Sequence, residues 1–172
     1  GINMGPGAVR YAGLSEKLRA LNYKVHDYGD ISIPIRETVL EQGKEQILPE
    51  IKKASELIYL AGRRAIEDGC LPIFVGGDHS VAIGTIGGIT HNESAGVIWI
   101  DAHGDFNTPE SSPSGNIHGM PVSVLLGEGY PELVNVGRKG AKIRTSDIVM
   151  IGLRDLDSAE KVLIKESGVK VY

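Results

Sequence analysis

The chain has a single cysteine, Cys70, so it can form no intramolecular disulfide and no multi-cysteine zinc site. Cys70 reads as a small buried hydrophobe before a strand, and a reducing, cytoplasmic setting is expected. Aromatic residues are scarce, with two Phe and one Trp, and the formal net charge is −4. With no basic stripe and few rings for stacking, nucleic-acid binding is disfavoured. No apolar run approaches the roughly 20 residues that span a bilayer, and no signal peptide is visible, so no membrane partner is expected. Glycine is abundant, at 23 of 172 residues. It gathers at strand ends and tight loops, as α/β folds require. The length suits one domain over residues 1–172, and 41% hydrophobic with 23% charged residues is ordinary for a globular chain.

The apolar pattern predicts alternating helices and strands. Residues 1–7 read as a loop, with Pro6 suited to the first turn of a helix reaching Asn22. Lys24 to Tyr28 and Leu71 to Val75 read as strands, and residues 31–42 as a surface connection. A long amphipathic helix is expected from about Gln46 to Glu67, with Ile47, Ile51, Ala54, Leu57, Leu60 and Ala61 facing the core. It ends at Asp68-Gly69. Gly76 to Ser80 forms a turn into a helix over 81–89. Gly96 to Ile100 has the length and β-branched content of a buried parallel strand. His118 opens a helix to about Leu126. A strand over 147–151, a helix over 158–166 and a strand over 169–172 follow. No hairpin signal interrupts the alternation, which predicts a parallel, three-layer α/β/α fold.

The chemistry concentrates where two strands leave the sheet. Asp101, His103 and Asp105 alternate after residue 100, so an extended backbone would turn all three to one side. Carboxylates and an imidazole pressed together are costly unless a cation sits among them. A lone DxHxD could be a capped turn, but His79, after the preceding strand, adds a second cluster and favours a metal site. Without thiolates the donor set suits a harder ion such as Mn²⁺, with Zn²⁺, Fe²⁺, Co²⁺ or Ni²⁺ also open. Several ligands suggest two metals, which would make a water nucleophilic at neutral pH. His118 could protonate a leaving nitrogen, although spacing alone equally allows a helix-opening His. Asn107, Ser112, Ser114 and Asn116 crowd the loop between and could touch a substrate.

Taken in order, GGDHS, DAHGDFNTP, SPSGNIHGMP and IGLRDLD resemble the ureohydrolase family and, within it, the arginases, over the whole chain from GINMGP to VKVY. The resemblance implies hydrolysis of L-arginine to L-ornithine and urea by a metal-bridging hydroxide at a binuclear manganese centre, on a fold with an eight-stranded parallel sheet. It implies His79, Asp101 and Asp105 on one Mn²⁺, with Asp101 bridging to a second that His103 also binds. His118 and Asp105 are the catalytic residues so implied, His118 as the proton shuttle. Asn107 and Ser114, with Asn116 nearby, would hold the α-carboxylate, while Asp157, and Asp155 through water, would read the α-amino group. A homo-oligomer, trimer or hexamer, is implied as well.

The family's DxDxxDP motif, which supplies two further metal-binding aspartates, is absent, as is the family's first strand. The chain begins at Gly1 without Met and stops at Tyr172 just after strand-like residues, so it reads as a segment of a longer protein. Isolated, the segment is expected neither to bind two metals properly nor to fold stably. Agmatinase or another ureohydrolase would share the metal ligands, but agmatine has no carboxylate for Asn107 to hold. A non-catalytic arginase-like subunit would have no use for His118 as a proton shuttle.

Overall fold

The computed structural model describes residues 4–172. The chain opens with two short helices, α1 (Gly5–Tyr11) and α2 (Leu14–Ala20), where the apolar spacing predicted one. Gly13, at φ 79°, breaks the run between them by adopting the left-handed conformation. Pro6 sits in the first turn of α1 as expected, so residues 5–7 are helical rather than loop; residues 1–3 lie outside the described part. A further helix, α3 (Arg36–Gln42), occupies part of the expected surface connection.

The long helix α4 (Ile47–Glu67) matches its predicted span, and Ile47 and Ile51 pack against the core as expected, but further along it presents a different face. Its buried residues are Ser55, Ile58, Tyr59, Gly62 and Ala65, whereas Leu57 and Leu60 are exposed. The reason is the partner helix, α5 (Val81–Ile89), which is rich in glycine. A Cβ on Gly84 would lie 2.5 Å from the Ser55 carbonyl oxygen, and one on Gly88 would lie 2.4 Å from that of Tyr59. Backbones this close select small residues at the seam, and an apolar count points instead to the leucines.

After Asn92 the chain builds a parallel sheet. Strand β1 (Val97–Ile100) leads through a long loop to α6 (Pro121–Leu126) and the short α7 (Pro131–Val134). His118 lies in a single 3₁₀ turn, residues 117–119, ahead of α6 rather than inside it. Strand β2 (Ile148–Ile151), helix α8 (Ser158–Ser167) and strand β3 (Lys170–Val171) complete the chain. The strand order is β1-β2-β3, with Trp99 opposite Met150 and Met150 opposite Val171.

Trp99, Ile148 and Met150 turn one face of the sheet into a core with Ala82, Phe106, Val122, Leu125 and Ile164. A second core joins Tyr59, Ile83, Met120, Val124 and Leu133. The opposite face of β1 is open, with Ile98 70% and Ile100 74% exposed, so β1 is not the fully buried strand its composition suggested. Residues 24–28 and 71–75 join no ladder among the described residues. Both were expected as strands, but an extended segment becomes a strand only beside a partner. Leu71 is 90% exposed, which shows that nothing covers it. Cys70 is half-buried, 3.8 Å from the Tyr28 hydroxyl.

Candidate metal centre

The site lies where β1 leaves the sheet, beside the turn that opens α5. Glycines 76 and 77 pass close under Val81, and the turn is locked by Asp78. The Asp78 carboxylate accepts the Ser80 amide at 3.0 Å and also the Ser80 hydroxyl. His79 is thereby aimed at the carboxyl end of β1, where its ring lies 4.5 Å from the Trp99 ring, tilted by 40°.

His79 Nδ1 faces Asp105 Oδ2 at 2.7 Å and Asp101 Oδ2 at 2.8 Å. One ring nitrogen carries at most one proton, so it cannot donate fully to both carboxylates. The hydrogen bond to Asp105 raises the His79 pKa, against the opposing effect of burial and with the charges of Asp105 and Asp101 adding to the rise. Burial pushes the Asp101 carboxyl up, but the amide of His103, the charge of His79 and the amide of Ala102 prevail and hold it below the usual carboxylate range. One donor atom each from His79, Asp101 and Asp105 falls within 4.8 Å of the others. An imidazole nitrogen and two carboxylate oxygens converging with a proton deficit fit a divalent cation of the harder or borderline kind.

His103 stands on the flank of this trio. Its Nδ1 lies 3.3 Å from Asp101 Oδ1 and its Nε2 lies 3.7 Å from Asp155 Oδ2, which makes Asp101 the residue common to both histidines. The three DxHxD side chains do not converge through strand alternation as expected. The backbone is bent there, and Asp105 has φ 48°.

Asn107 is buried and donates its Nδ2 to Asp157 Oδ2 at 2.9 Å, while its Oδ1 accepts the Ser111 hydroxyl at 2.8 Å. Two residues expected to read neighbouring groups on one substrate carbon, the α-carboxylate and the α-amino group, are thus in contact. Asp157 also caps α8. His118 is half-exposed, its Nδ1 3.9 Å from Asp78 Oδ2. Ser114 and Asn116 are joined to each other by a 3.2 Å bond from the Asn116 amide to the Ser114 hydroxyl, and Ser112 accepts the Gly115 amide at 3.0 Å. Asp155 is largely exposed and approaches only His103 among the ion pairs of the described residues.

Four neighbours escaped sequence reasoning: Asp78, Trp99, Ser111 and Glu160. Asp157-x-x-Glu160 at the head of a helix is a capping-box signal that would have drawn attention to Glu160. Trp99 precedes Asp101 by two, the spacing of one strand face. Nothing local marks Asp78 or Ser111.

A family model described as the arginase family matches residues 1–172. Arginase of Bacillus caldovelox is 47% identical over 175 residues, an alignment covering 100% of this chain and 58% of the relative. The native structure of the same species' arginase superimposes with a TM-score of 0.92 at 48% identity, covering 98% of this chain and 57% of that one. Entamoeba histolytica arginase, solved in complex with L-ornithine, gives a TM-score of 0.77 at 28% identity, covering 100% and 59%. The chain therefore spans a little over half the length of the relatives it matches.

Proposed function

Because the chain belongs to the arginase family, we propose that the protein hydrolyses L-arginine to L-ornithine and urea with the help of two manganese ions. The observation that supports this most is the convergence of His79, Asp101 and Asp105, two residues along the chain from a buried Asn107 bound to Asp157. In this reading His79, Asp101 and Asp105 hold one ion, and Asp101 with His103 contributes to the other. When bound, the ions would supply a water acidified toward neutral pH as the nucleophile for the guanidinium carbon.

The protein's own groups orient the substrate and move its protons. Asn107 and Ser114, with Asn116 nearby, take the α-carboxylate, while Asp157 and, through water, Asp155 take the α-amino group. Asp105 orients the reacting centre, and His118 gives a proton to the leaving side-chain nitrogen. The Asp78 carboxylate lies 3.9 Å from His118 Nδ1. The setting in this reading is the cytoplasm and the assembly a homo-oligomer, trimer or hexamer.

The test is urea release from L-arginine and from agmatine, with and without Mn²⁺, by the complete protein. Mn²⁺-dependent turnover of arginine, with little of agmatine, is expected. Asn107→Ala should lower kcat/KM for arginine by about 10- to 100-fold, the worth of a hydrogen bond to a charged group, and spare agmatine. Equal losses on both substrates would discredit the carboxylate-reading role. Turnover of agmatine alone would keep the metal chemistry and remove Asn107 and Ser114 from it.

A further inference from the structure

Asp105 and Asn22 are the non-glycine residues with positive φ among the described residues, and Asn tolerates that conformation well. An aspartate at φ 48° persists only where its surroundings over-determine it. Residues 119–123 hold the peptide from one side. The Val122 amide donates to the Asp105 carbonyl at 3.0 Å, the Asn107 amide donates to the Gly119 carbonyl at 3.1 Å, and the Ser123 hydroxyl donates to the Phe106 carbonyl at 2.5 Å.

The remaining group of this turn, the Phe106 amide, is taken from the other side. It donates at 2.9 Å to Glu160 Oε1, a residue 54 positions away in the first turn of α8. Glu160 is 3% exposed. A capping box needs only a Glu at a solvent-facing helix start, and Glu160 does accept the Asp157 amide in that way, at 3.4 Å. Burial of the carboxylate and its reach beyond its own helix are not explained by capping. Gly104 makes the approach possible, since a Cβ there would lie 2.7 Å from Glu160 Oε1.

We propose that Glu160 is a positioning residue: its carboxylate holds the Asp105–Phe106 peptide in the left-handed turn that aims Asp105 at His79 and Asp101. The same carboxylate is bonded to the Asp157 amide, and Asp157 to Asn107, so Glu160 ties the metal-ligand turn to the pair proposed to bind substrate. The inference rests on the metal-binding reading of the cluster.

The experiment compares wild type with Glu160→Ala, Glu160→Gln and Gly104→Ala in the complete protein, measuring Mn²⁺ affinity by calorimetric titration and solving metal-free crystal structures. Glu160→Ala removes the acceptor and should weaken Mn²⁺ binding by about 10- to 100-fold, the usual effect of losing a group that orients a ligand. Glu160→Gln keeps an oxygen for the Phe106 amide and should stay within about threefold of wild type. Gly104→Ala displaces the carboxylate without removing it, and serves if Glu160→Ala fails to fold. A folded Glu160→Ala that binds Mn²⁺ like wild type overturns the proposal, as does a Glu160→Gln that falls as far as Glu160→Ala. The crystal structures need no metal. Asp105 should leave its positive φ in the Ala variants and keep it in Glu160→Gln; retention throughout overturns the proposal. Absence of Mn²⁺ binding in wild type would sink the metal reading instead, and the Asp105 backbone would still decide the role of Glu160.

Discussion

His79 is the residue on which the site turns, and its neighbours account for its orientation. Asp105 and Asp101 draw it from one side and the Trp99 ring packs against it. Trp99 is the only tryptophan of the chain and is buried, with its Nε1 lacking a hydrogen-bond partner among the described residues. A buried donor without an acceptor costs about 1–3 kcal/mol, so filling the core would be cheaper with Phe. The indole therefore doubles as a built-in reporter. Paramagnetic Mn²⁺ should quench its emission in the wild type, and the wild-type-minus-Trp99→Phe difference should saturate at the occupancy found by calorimetry. Emission from Trp99 that is indifferent to Mn²⁺ would place the ion elsewhere.

At the scale of elements, helix ends and helix seams decide what the site rests on. The loop after α7 is tied by Lys142, which is 3% exposed and has no carboxylate partner among the described residues. Its ammonium donates to the carbonyls of Val134 at 2.6 Å and Gly140 at 2.8 Å, and to that of Arg138. The Lys142 amide is bound to Leu125 at the end of α6, so one residue joins both short helices. Lys142→Met should cost about 2–4 kcal/mol, because several carbonyls lose a buried donor together. Burial, with the charge of Arg138 adding to it, pushes the Lys142 ammonium down to about 8. An unfolded lysine titrates near 10.4, so between these values the unfolded chain holds a proton that the native one has lost. Stability from this group therefore rises with pH across that window. Denaturant unfolding from pH 8 to 10 should show the gap between wild type and Lys142→Met widening; a constant gap would contradict it.

For the whole molecule, the open face of β1 is the outstanding feature. Ile98, Ile100 and Ile151 are exposed together, and β1 has an unpaired edge among the described residues. Such an edge invites pairing with other chains. The 172-residue chain by itself should show concentration-dependent light scattering and bind hydrophobic dyes. A monodisperse chain that binds no dye would refute this.

The sequence by itself determined which residues are candidates for the chemistry and the order of the main elements after Ser80. His79 follows a glycine turn, and Asp101, His103 and Asp105 follow an apolar run, so their types and spacing are legible within a few residues. The span of α4, its end at Asp68-Gly69 and the strand at 148–151 were legible for the same reason, since periodicity and capping are local. Only the tertiary structure decided which atoms meet. Asn107 finds Asp157 across 50 residues, and Glu160 finds the Phe106 amide across 54. The buried stripe of α4 depends on the glycines of α5 rather than on its own leucines. Residues 24–28 and 71–75 have strand composition but no ladder, because pairing depends on what stands alongside. Side-chain type and period are written along the chain, whereas close approach and pairing exist only between segments that folding brings together.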